Sequence, residues 1–129
     1  MAVQLNHMIV PARDGEASAR WFAALFGLDE PTRFGPFWQV STSNGVDLDF
    51  DTDPDEAIRP IHYAFLVTED TFDEIFGRIV EGGIAHYADP GRRQAGMINH
   101  HDGGRGVYFG DPDGHLLEII TRPYGSTDA

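Results

Sequence analysis

The chain contains no cysteine, and all nine of its basic residues are arginine. The first absence excludes disulfides, thiolate metal sites and a cysteine nucleophile. The second excludes Schiff-base chemistry and any phosphate loop that depends on lysine. Positive charge is scarce overall: 9 basic side chains against 21 acidic ones leave a net charge of −12. That balance argues against a nucleic-acid surface and is compatible with a cationic ligand. No run approaches the roughly 18 apolar residues of a membrane span. The opening MAVQLNHMIVPARDG also lacks the basic segment and long apolar core of a secretory signal, so no membrane association is expected and the expected location is the cytoplasm.

What is present suffices for a packed fold: 129 residues, 41% of them hydrophobic, fit one domain over 1–129, or two small halves sharing a core. LNHMIV (5–10) reads as a strand, and DGEASARWFAALFGL (14–28) as an amphipathic helix with Asp14 as its N-cap, ending at Gly27. Strands over 37–42 and 45–50 follow, joined by a turn at Asn44-Gly45, with one further short strand expected in 29–36. The acidic stretch DLDFDTDPDE (47–56) reads as the end of a strand running into a solvated linker.

The same order then repeats, with a strand over 61–67, a helix over 68–83, and strands near 84–88, 96–99, 106–109 and 115–121. Module 1 thus covers about 1–52, the linker about 53–60 and module 2 about 61–123. Laying His7 over His62 sets the offset at 55 residues and brings Gly27 close to Gly82 and Gly83. It also aligns the hairpins, because Gly45 precedes Asp49 by four residues just as Gly114 precedes Glu118.

The segment GDPDGHLLEII (110–120) places an Asp113-Gly114 hairpin turn before a strand that is apolar on both faces except at Glu118. A carboxylate there is costly unless something pairs with it. Strand alternation groups His7 with Leu5 and Ile9, His62 with Ala64 and Leu66, Asp49 with Asp47, and Glu118 with Leu116 and Ile120. If the helices cover Val46, Leu48, Phe50, Leu117 and Ile119, the four ionisable residues lie on the opposite, concave side. Two imidazoles with one or two carboxylates suit a divalent transition metal that keeps open positions for substrate. The alternative is that His7 and His62 are hydrogen-bonded core histidines while Glu118 pairs with Arg122 or Arg105.

On the motifs LNHMIV, IHYAFLV and VYFGDPDGHLLEII, the sequence resembles the vicinal oxygen chelate superfamily over nearly its whole length. That superfamily includes glyoxalase I, fosfomycin resistance thiol transferases, extradiol dioxygenases and bleomycin-binding proteins. The resemblance implies an α+β fold of two βαβββ modules forming a curved mixed sheet around a metal-binding cleft. It implies His7, His62 and Glu118 as ligands of a divalent ion (Fe, Mn, Ni or Zn), with Asp49, or Asp47, as a possible fourth. A homodimer is expected on the same ground.

Tyr108, ten residues before Glu118, stands where both the fosfomycin type and the extradiol dioxygenases carry a substrate-contacting tyrosine. It is the expected hydrogen-bond donor to a bound oxygen, with packing beside Phe109 as the alternative. MINHHDGGRG (97–106) differs from the potassium-binding loop of the fosfomycin transferases. Its His100 is the preferred general acid or base, against an ordinary surface loop, while His86 and His115 read as structural or exposed. The expected function is a metal-dependent dioxygenase, or a lyase or isomerase, acting on a small substrate with adjacent oxygens, ahead of a thiol transferase. The alternative is a metal-free protein that binds an aromatic or cationic drug, which the negative charge and Trp21, Phe22, Phe37, Trp38 and Tyr63 permit.

Overall fold

The computed structural model describes residues 2–53 and 57–126. These fall into two compact units that divide between Arg59 and Pro60, each holding one helix and one four-stranded mixed sheet. The α+β architecture of two βαβββ modules is the one expected. Positions 54–56 of the expected linker lie outside the described residues. No helix among the described residues is long and apolar enough to cross a membrane.

The first unit runs β1 (His7–Ala12), α1 (Gly15–Phe26), β2 (Thr32–Phe34), β3 (Phe37–Ser41) and β4 (Asp47–Thr52). Its strand order is β1-β4-β3-β2, with β1 parallel to β4 and the other pairs antiparallel. The ends of α1 follow from local chemistry. Asp14 accepts the Ala17 N–H at 3.1 Å, and Gly27 takes the left-handed φ of 69° that lets its N–H close onto the Ala23 carbonyl. Phe22 stacks on Phe26 at 4.1 Å and meets Phe50 at 5.8 Å, so the apolar stripe of α1 is buried against β4. Leu48 and Phe50 therefore belong to the core and Asp49 to the other face.

The second unit runs β5 (His62–Leu66), α2 (Glu69–Glu81), β6 (His86–Tyr87), β7 (Gly106–Gly110) and β8 (Leu116–Ile120), in strand order β5-β8-β7-β6. Thr68 caps α2 by accepting the Thr71 N–H at 3.2 Å, and the helix buries Phe72, Ile75 and Ile79. The strand expected over 96–99 does not form. Gly96 adopts a φ of 74°, and the segment keeps only an isolated bridge between Asn99 and Gly106. The turn before β8 is also wider than a two-residue Asp-Gly hairpin. Asp111 organises it by accepting the N–H groups of Asp113 at 3.0 Å and His115 at 2.8 Å.

Register makes the internal repeat closer than the sequence implies. In the parallel pairs His7 lies opposite Asp47 and His62 opposite Leu116, so Asp49 and Glu118 each sit two residues further along the neighbouring strand. On the antiparallel side Gln39 faces Asp49 and Tyr108 faces Glu118. Gln39 is thus the first unit's counterpart of Tyr108.

Candidate metal centre

Glu118 lies in the second position of its sheet, flanked by β5 and β7, and is 1% exposed. Leu117 and Ile119 point into the core, which leaves Glu118 on the face it shares with His62 and Tyr108. Its Oε1 is 3.2 Å from His62 Nε2, and its Oε2 accepts the Tyr124 hydroxyl. The Tyr108 and Tyr124 hydroxyls are 3.1 Å apart, and the Tyr108 ring lies 6.0 Å from the His62 ring. Neither arginine proposed as a partner is engaged with Glu118. Arg105 donates to Glu69 Oε1 at 2.8 Å and Asp73 Oδ1 at 2.7 Å above the Phe72 ring, and Arg122 donates to Ser126 Oγ at 3.4 Å. Nor is His62 a core residue, since its side chain is 47% exposed.

The chemistry of the His62 and Glu118 pair suits a cation. His62 Nδ1 is 3.0 Å from the Leu116 carbonyl, which can only accept, so the Nδ1 proton points there and, in the neutral ring, Nε2 presents its lone pair to the carboxylate. Two acceptors facing each other at 3.2 Å call for a proton or a metal ion between them. Bonds of about 2.1 Å from one divalent ion to an imidazole nitrogen and a carboxylate oxygen, set about 95–100° apart, separate those atoms by about 3.1–3.2 Å. The residues present therefore fit a metal. The described residues do not gather three potential ligands into one cluster.

His7 and Asp49, in the first unit, have partners of their own. His7 Nδ1 lies 2.7 Å from Asn6 Oδ1, a bond that does not use Nε2, and the buried Asp49 accepts Gln39 Nε2 at 2.9 Å. Asp47 accepts the Ser41 hydroxyl at 2.6 Å.

Burial, with the Glu118 charge adding to it, raises the Tyr108 phenol above its ordinary range. Burial and the bond to Glu118 raise Tyr124 likewise. Both hydroxyls therefore keep their protons as donors at neutral pH.

Of the paired histidines in the 97–106 loop, His101 is the one whose ring meets Tyr124, edge-on at 5.9 Å, while His100 is exposed at the start of a short 3-10 turn over His101–Gly103. The backbone after His100 turns through His101–Gly103. Tyr124 has no counterpart among the expected site residues. Its only signal in the sequence is an aromatic hydroxyl in a Pro-Tyr-Gly turn six residues after Glu118. His115 is fully buried and accepts the Ile61 N–H at 3.0 Å, which fixes the start of β5 on β8 and so seats His62; His86 meets the Ile84 carbonyl at 3.0 Å.

A family model described as the Glyoxalase/Bleomycin resistance protein/Dioxygenase superfamily matches residues 4–119, and the chain belongs to that superfamily. Two solved structures are similar to it over nearly their whole lengths. Oxidase ChaP-H1 is 60% identical, covering 96% of this chain and 99% of that one with a TM-score of 0.93. Oxidase ChaP-H2 is 58% identical, covering 98% of each chain with a TM-score of 0.94. Metallothiol transferase FosB of Shouchella clausii (strain KSM-K16) is 30% identical over 91% of this chain and 79% of its own length. These relatives are enzymes.

Proposed function

We propose that this chain is a divalent-metal-dependent oxidase of the dioxygenase type, acting on a small metabolite with two adjacent oxygen atoms. Support comes above all from His62 Nε2 and Glu118 Oε1, two acceptors held 3.2 Å apart with the histidine tautomer fixed by Leu116. His7 is the third ligand of the proposal, by its repeat position and because its bond to Asn6 uses Nδ1 rather than Nε2. Fe, Mn, Ni and Zn all suit such donors. Asp49 is held by Gln39 and is the candidate fourth. Oxidation is ranked above thiol transfer because identity to the two oxidases, at 60% and 58%, is about double the 30% to the metallothiol transferase.

When bound, a divalent ion supplies Lewis acidity toward the two substrate oxygens and, if redox-active, electrons toward dioxygen. The chain's own residues do the rest. His62 and Glu118, with His7, would hold the ion and leave it open to substrate. Tyr108, kept protonated by burial, would turn its proton from the Tyr124 oxygen to a substrate oxygen and so hold the substrate in register. His101, whose ring edge lies against Tyr124, would carry a proton to solvent. Both atoms of dioxygen enter the product, so one O2 is consumed per substrate and no peroxide is released.

A second copy of this chain is the proposed partner. His7 and His62 lie on β1 and β5, which are edge strands, and Leu5, Ile9 and Leu66 nearby are more than half exposed. Sedimentation equilibrium should give twice the 14.3 kDa chain mass.

The direct test is elemental analysis of untagged protein purified without chelators, beside His62→Ala and Glu118→Gln, followed by oxygen uptake with catechols, α-hydroxyketones and vicinal diols. A near-stoichiometric metal lost in both variants, with one O2 taken up per substrate, supports the reading. Metal-dependent addition of a small thiol to an epoxide, without oxygen uptake, would replace it with thiol transfer. Failure to take up any of the four metals would replace it with metal-free ligand binding.

A further inference from the structure

Beyond the ligands themselves, one side chain is arranged to control how Glu118 can be used. We propose that Tyr124 is a positioning residue: its hydroxyl occupies Oε2 of Glu118 so that Oε1 alone faces His62, and a clasp between Asp102 and Gly125 keeps it there. The inference rests on Glu118 being a metal ligand.

The geometry comes from the chain reversing just after β8. At Gly125 φ is 75°, and the turn carries the Tyr124 hydroxyl back over the strand the chain has just left. Tyr124 is about half exposed, so packing alone does not hold it. The loop at 101–104 does. Asp102 Oδ2 accepts the Gly125 N–H at 3.0 Å, and the His101 ring edge lies against the Tyr124 ring. Asp102 reaches this position in a left-handed conformation, φ 56°, that few residues other than glycine adopt. Gly104 lets the loop sit directly on the outgoing chain, since a Cβ there would lie 2.6 Å from Thr121 Oγ1 and 3.0 Å from Arg122. Backbone strain, close packing and a hydrogen bond thus all place the same tyrosine.

The chemical consequence concerns the second carboxylate oxygen. A free carboxylate can give one or both oxygens to a metal. With Oε2 engaged in a charge-assisted bond, Glu118 is restricted to one-atom ligation, and positions stay open for a substrate that brings two oxygens. Tyr124 donates to Glu118 and its oxygen remains able to accept from Tyr108, 3.1 Å away, so the two phenols point their protons in one direction toward the carboxylate.

The test uses Co(II) as the probe, since its visible absorption weakens as coordination number rises. Full-length wild type, Tyr124→Phe, Asp102→Gly and Glu118→Gln are titrated by calorimetry and followed spectroscopically. Tyr124→Phe should bind Co(II) about 10- to 100-fold more weakly, because Glu118 loses the donor that orients it, and should show weaker visible bands, because the second oxygen becomes free to coordinate. Asp102→Gly, which suits the positive φ, should shift both readouts the same way by a smaller factor and carries the test if the first variant does not fold. If both variants match wild type in affinity and spectrum while Glu118→Gln loses the metal, the inference is overturned and the proposed function stands. A wild type that takes up no Co(II) overturns both.

Discussion

Replacing Glu118 with glutamine should make the metal-free protein more stable and remove its response to metal. In metal-free wild type with a neutral His62 ring, a carboxylate that is 1% exposed faces the Nε2 lone pair at 3.2 Å. Glutamine has nearly the same shape. Its amide oxygen still accepts from Tyr124, and its N–H groups can donate to the imidazole, so an acceptor facing an acceptor becomes a hydrogen bond. Relieving one buried polar mismatch is worth about 1–3 kcal/mol. For a chain of this size that is a rise in melting temperature of about 4–12 °C. Metal reverses the order. At free metal 1,000 times the dissociation constant, wild type gains about 4.1 kcal/mol, whereas a variant without the ligand gains almost nothing. Thermal melts in chelator and in added metal measure both terms. A variant less stable than wild type in chelator would refute the reasoning, because it would mean that the pair is built around a shared proton and that Glu118 is a structural ion-pair partner.

Gln39→Leu should cost about 1–3 kcal/mol in urea unfolding, because it strips the nearly buried Asp49 of its 2.9 Å donor; an unchanged midpoint would show that this bond carries no stability. His115→Leu should cost a similar amount, about 1–3 kcal/mol, since the Ile61 N–H loses its acceptor, and should also weaken metal uptake through His62; native metal affinity would count against the seating role of His115. Glu69 is held below the ordinary glutamate range by bonds from Thr121 and then Arg105. Its contribution to stability is therefore present above the ordinary range and lost as pH falls through the lowered value. In Arg105→Met the Glu69 carboxyl, followed by NMR, should titrate at higher pH than in wild type, and an unmoved midpoint would remove Arg105 as a cause.

The features legible in the sequence were those fixed by local chemistry. Asp14 and Gly27 bracket α1 through bonds to residues three and four positions away, and strand alternation alone sorts Glu118 from Leu117 and Ile119. The repeat offset of 55 residues marked His7 against His62, and the register then added Gln39 against Tyr108. What escaped is long-range and aperiodic. Nothing near Tyr124 announces that Asp102, 23 residues before Gly125, will hold its turn in place. The strand expected at 96–99 failed because alternation cannot foresee the positive φ of Gly96. Arg105 went to α2 rather than to Glu118 because two carboxylates one helical turn apart, Glu69 and Asp73, offer it a fork above Phe72.

The shared register of the two sheets means that the chain carries two drafts of one instrument. In one, imidazole, glutamate and phenol stand on three neighbouring strands; in the other, imidazole, aspartate and amide occupy the same places. Each draft hangs on its own hydrogen-bond ladder and its own helix. A lineage can therefore rewrite the donors in one half while the other preserves a working template of the strand geometry.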